Sequence, residues 1–126
     1  IVQLLLEHKA DVNAQGGKYG SALQAASLMG HKEIVQLLLE HKADVNAQGG
    51  EYGNALQAAS WRGHNDIVQL LLEHKADVNA QGGKYENALQ GAFWMGNKDI
   101  VQLLLEHKAD VNAQWAKYGN ALQAAS

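Results

Sequence analysis

The stretch Ile67-Val68-Gln69-Leu70-Leu71-Leu72-Glu73-His74-Lys75-Ala76-Asp77-Val78-Asn79-Ala80-Gln81 recurs along the chain, beginning at Ile1, Ile34, Ile67 and Ile100. The step is a constant 33 residues, and the units 34–66 and 67–99 agree at 26 positions and differ at seven. No stretch departs from the period, so residues 1–126 read as one array of about four units with no linker or internal domain boundary. Such units bury their apolar faces only against their neighbours.

Each period predicts two helices and a turn-rich connector. Asn54-Ala55-Leu56-Gln57-Ala58-Ala59-Ser60 opens a short first helix, with Asn54 as N-cap and Gln57 three residues later in the spacing of a capping box. Ser21/Gln24, Asn87/Gln90 and Asn120/Gln123 repeat that pair, and the alanines suit close helix–helix approach. The second helix runs from about His64 or Asn65 to His74. Ile67, Leu70 and Leu71 form its apolar stripe, and Val68 and Leu72 widen it, as expected of a helix sandwiched between units. Asp77 to Gly83 then reads as a short hairpin-like finger with turn chemistry at Asn79 and Gly82-Gly83.

Composition narrows the function. Ten Lys+Arg against 13 Asp+Glu give a formal charge of −3, too mild and mixed for a nucleic-acid or anionic-membrane binder. No apolar run is long enough to span a membrane. With no Cys there are no disulfides, thiolate zinc sites or Cys nucleophiles, which fits a reducing, cytoplasmic setting.

The residues Gly63-His64, Ile67-Val68, Leu70-Leu71-Leu72 and Ala76-Asp77-Val78-Asn79-Ala80, on a 33-residue period, resemble an ankyrin repeat array over essentially the whole chain. The resemblance implies an all-α solenoid of stacked helix-turn-helix units with short hairpin-like fingers. It also implies a concave surface of fingers and first helices that binds protein partners. Asn54-Ala55-Leu56-Gln57 stands where the family has Thr-Pro-Leu-His, which keeps a cap and the core Leu and accounts for the lack of proline. Lys9, Lys42, Lys75 and Lys108 replace the family's Gly after the second helix. A left-handed Lys there costs on the order of 1 kcal/mol relative to Gly; a helix that ends differently avoids that cost. The run Gly49-Gly50-Glu51-Tyr52-Gly53-Asn54-Ala55-Leu56-Gln57-Ala58-Ala59-Ser60 is also similar to the ankyrin arrays of filamentous-fungal NLR-type (NACHT) receptors. A consensus-like engineered array has the same near-identity of units.

No catalytic or metal constellation emerges, and neither a cofactor nor an enzymatic activity is expected. His8, His41, His74 and His107 recur at one repeat position, and units about 8–10 Å apart cannot share one metal through them. They read as solvated surface residues, and His31 and His64 as backbone-bonding residues of the turn, replaced by Asn97 in the third unit. Asp11, Asp44, Asp77 and Asp110 lack the clustered carboxylates of a calcium loop and read as turn caps. Gly16-Gly17-Lys18 and Gly82-Gly83-Lys84 lack the phosphate-loop spacing and read as turns.

Positions that differ between units carry the functional signal. At the end of the first helix these are Leu28-Met29, Trp61-Arg62 and Trp94-Met95. On the finger they are Lys18, Glu51, Lys84 and Lys117, with Trp115-Ala116 in place of Gly-Gly; the third unit adds Glu86, Gly91, Phe93 and Asn97. Trp, Arg, Met and Leu suit an interface core. The expected partner-binding residues are therefore Leu28, Met29, Trp61, Arg62, Trp94, Met95, Trp115, Glu51, Lys84 and Glu86, set against a reading in which the helix-end side chains only close the core. Phe93 is expected to repack locally. The array starts within a second helix and stops after a first, with no polar capping unit. It reads as a segment of a longer array, and Ile1, Val2, Leu4, Leu5 and Leu122 would offer a route to self-association.

Overall fold

The computed structural model describes residues 13, 16, 20–83 and 87–109. Among them six helices pair into three units: α1 (Ala22–Met29) with α2 (Lys32–Glu40), α3 (Ala55–Arg62) with α4 (Asn65–Glu73), and α5 (Ala88–Trp94) with α6 (Lys98–Glu106). The fold is an all-α repeat solenoid. The fully described finger, residues 44–53, is built of turns and closed by a bond from Gly49 N–H to the Gly53 carbonyl at 3.0 Å. Gly16 N–H bonds the Gly20 carbonyl in the same way at 3.1 Å, and no strand occurs among the described residues.

The first helices start where the capping chemistry places them. In α1 and α3 the Ser21 and Asn54 side chains cap Gln24 N–H and Gln57 N–H, and each glutamine returns a bond to its cap's N–H. In α5 the Asn87 side chain caps Gln90 N–H at 2.8 Å, and the box is one-sided. A Cβ at Gly20 or Gly53, immediately before the cap, would overlap the glutamine amide, and the third unit carries Glu86 at this place.

The core is a single cluster running through all three units. Leu23, Leu56 and Leu89 of the first helices meet Leu38, Leu71 and Leu104 of the second, with Val35, Val68 and Ile100 between them. Buried Ala26, Ala59 and Ala92 bring the first helices close together, and these helices stack more tightly than the second ones. The array therefore curves toward its first helices, whose side is concave. Phe93 packs against this cluster, where α1 and α3 have the buried serines Ser27 and Ser60.

The second helices end with a left-handed lysine. Lys42, Lys75 and Lys108 have φ of 65°, 67° and 70°. Around Lys42 the Ala43 N–H reaches back to Leu38 O at 3.0 Å and the Lys42 N–H to Leu39 O at 3.1 Å, a Schellman closure. The left-handed alternative holds, with its cost of on the order of 1 kcal/mol per lysine.

Candidate partner-binding surface

Side chains aimed at neighbouring backbone fix the units in register. The buried amide of Gln57 donates to Gly82 O at 2.7 Å in the next finger, and Gln24 likewise donates to Gly49 O at 2.7 Å and to Gly53 O. On the connectors, Asn46 Oδ1 accepts Asp77 N–H at 2.6 Å and Asn13 Oδ1 accepts Asp44 N–H at 2.7 Å. Asn46 Nδ2 donates to Lys75 O at 3.4 Å, and Asn79 Nδ2 to Lys108 O at the same distance. The His64 ring covers Gly30 with its Nε2 3.0 Å from Leu28 O. Asn97, one unit on, does the same task by donating to Ser60 O at 2.9 Å. The C-terminal ends of α1 and α3 thus each have a carbonyl bonded by a side chain of the following unit.

That register lines up the ends of the first helices. Met29, Arg62 and Met95 occupy equivalent places in three successive units, and all three are exposed. Beside them, Trp61 is half-buried and stacks on Tyr52 of its own finger, with ring centroids 5.0 Å apart and planes inclined by 22°. The Arg62 Cζ lies 5.7 Å from the centroid of the Trp61 ring, a cation–π contact. Trp94, its counterpart in the next unit, is 57% exposed.

Two ankyrin-repeat family models match the chain. One, described as ankyrin repeats (3 copies), matches residues 49–115. The other, ankyrin repeats (many copies), matches residues 1–39 and 22–72. The chain belongs to the ankyrin repeat family. Ankyrin repeats generally mediate protein–protein interaction and are typically non-enzymatic modules. No curated protein matches this chain.

Within this ankyrin array the expected contact residues divide. Met29, Arg62, Trp94 and Met95 are exposed on the helix ends, and Trp61 is half-covered by Tyr52. Leu28 is a correction. It is 3% exposed, so its side chain fills the interior and only Met29 of that pair reaches solvent. Glu51 is half-buried on the finger and engaged within the protein. Trp115, Lys84 and Glu86 lie outside the described residues, as do Lys18, Lys117, Gly17, His8, Asp11, Asp110, Asn120, Gln123 and the apolar positions Ile1, Val2, Leu4, Leu5 and Leu122. Tyr52 recurs as Tyr19, Tyr85 and Tyr118 in the other units, so differences between units carry no signal for it.

The recurring polar residues serve the ankyrin scaffold. His41, His74 and His107 are exposed, each with Nδ1 3.0 Å from the carbonyl four residues earlier. The Asp44 and Asp77 carboxylates accept Asn46 N–H and Asn79 N–H at 3.0 Å, a turn-capping role. His64 bonds backbone as expected, although of the preceding unit rather than of its own turn. The hollow of about 290 Å³ between Gly30, Lys32, Gly63, His64, Asn65, Asp66 and Ile67 is an open groove between units. Among the described residues no group of three or more His, Asp or Glu could hold a metal, and no helix is long and apolar enough to cross a membrane.

Proposed function

We propose that this array is a protein-binding module whose first-helix ends hold the partner, with Met29, Arg62, Trp94 and Met95 as contact residues beside the half-buried Trp61. One observation carries the reading. Among the described residues the exposed large apolar side chains are Met29 (54%), Trp94 (57%), Met95 (49%) and Leu105 (41%), and the first three share this one stripe. Clustered exposed apolar groups mark interaction sites, and Trp, Arg and Met anchors dominate interface energies. Trp115, Lys84 and Glu86 extend the proposed contact set toward the fingers, where Glu51 also stands.

A finer role is the cytoplasmic sensor array of a filamentous-fungal NLR-type receptor, supported by the run from Gly49 to Ser60 and by units that differ at only a few positions. A NACHT domain encoded upstream tests it. The rival reading, an engineered or consensus-like scaffold with no dedicated ligand, draws support from the same regularity and is favoured by flanking purification tags.

Selection of binders from a displayed random-peptide library tests the binding surface. Binders should lose about 100-fold or more in affinity for the triple variant Met29→Ala, Trp94→Ala, Met95→Ala, at an unchanged circular dichroism spectrum. Binders that hold the variant as tightly as the parent place the interface elsewhere.

A further inference from the structure

The stripe has an ordered chemistry. Methionine, arginine and methionine follow one another at the equivalent positions 29, 62 and 95. Arg62 lies against the Trp61 ring, so the edge of its planar guanidinium keeps N–H donors for a carboxylate. Among the described residues no carboxylate pairs with it, and Glu51 has interactions of its own within the protein. A cation with an apolar side chain one unit away on either side calls for an anion flanked by apolar groups.

The spacing selects the backbone. Stacked helices lie about 8–10 Å apart, and the stripe lies on the tighter, inner side of the array. A β-strand returns to the same face every two residues, at about 6.6 or 13 Å, and misses that step. An α-helix returns every seven residues at about 10.5 Å, just past the upper end of that range. A left-handed polyproline-type segment returns every three residues at about 9.3 Å, within the range. Such segments also dock on aromatic surfaces, which Trp61, Tyr52 and Trp94 supply.

We infer that the stripe takes a left-handed, three-residue-per-turn segment of a protein partner, with an acidic residue at Arg62 and apolar residues three positions to either side. The inference rests on the docking surface proposed above. The anion sits between Met29 and Met95, and the flanking apolar groups cover those methionines and Trp94.

Three labelled synthetic peptides test it by fluorescence anisotropy. The first is Leu-Pro-Pro-Glu-Pro-Pro-Leu, the second has Gln for Glu, and the third is a stapled helix with Leu, Glu and Leu at heptad spacing. The Glu peptide should bind about tenfold tighter than the Gln peptide, the scale of a charge-assisted hydrogen bond. Arg62→Met, which installs the residue of the neighbouring units, should abolish that preference and leave Gln-peptide binding intact. Equal binding of the Glu and Gln peptides, a preference that survives Arg62→Met, tighter binding of the stapled helix, or no Glu-peptide binding up to about 1 mM overturns the inference. If the Glu and Gln peptides bind alike and Trp94→Ala weakens both, the docking surface stands and the acidic segment falls. Binding indifferent to Trp94→Ala removes the docking surface itself.

Discussion

The side-chain amide of Gln57 donates to the carbonyl oxygen of Gly82 at 2.7 Å, joining the first helix of one unit to the finger of the next. The same side chain accepts Asn54 N–H at 2.8 Å, so one buried residue both starts its own helix and positions its neighbour. Gln57→Ala leaves a buried N–H and a carbonyl without partners and should cost about 3 kcal/mol. Urea denaturation should also show a lower m-value as the units uncouple. A loss under about 1 kcal/mol would mean that water replaces the amide without penalty.

The fingers leave no room for a side chain at Gly83. A Cβ there would lie 2.5 Å from Gly53 N and 2.6 Å from the Tyr52 carbonyl carbon, at φ +71°. Gly96 has a similar φ of +73° with nothing within 4 Å. Gly96→Ala should therefore cost about 1–2 kcal/mol for left-handed backbone alone, and Gly83→Ala at least about 1 kcal/mol more. Equal losses in urea titrations would show that the fingers part freely.

Lys75 stores removable strain. Its carbonyl accepts from Asn46 Nδ2, a bond that does not involve its side chain. At φ 67°, Lys75→Gly should raise stability by about 1 kcal/mol, seen as a higher urea midpoint with unchanged m-value. A lower midpoint would show that the lysine stem packs usefully against the helix end.

Trp61 and Trp94 should separate in a stability measurement although they are repeat equivalents. Trp61→Ala removes a ring stacked on Tyr52 and touching Arg62, and should cost about 2 kcal/mol. Trp94 also has an interaction within the protein but is 57% exposed, so Trp94→Ala removes less buried area and should cost less than Trp61→Ala. Thermal melts of the two single variants check this, and similar losses would mean that Trp94 is a packing residue.

The 33-residue period, both helices of each unit and the N-caps are legible in the residues because local rules write them: apolar spacing, a capping residue, a glycine after the helix. The destination of His64 is not legible, since its bond to Leu28 O crosses 36 positions and depends on how units stack. Leu28 and Trp94 show the same boundary. They hold equivalent positions, yet one is buried and the other exposed, and burial is decided by neighbours rather than by repeat position. The left-handed lysines were one of two open alternatives, because the Schellman closure that favours them offsets the strain that opposes them.

Gln24, Asn46, Gln57, His64 and Asn97 all reach across to main-chain atoms of the adjoining unit. None of these bonds reads the identity of a neighbouring side chain, since every unit presents the same carbonyls and amides. Units are therefore interchangeable parts. Exchanging units would keep these main-chain joints, while the order of methionine, arginine and tryptophan along the helix ends would change with the order of the units.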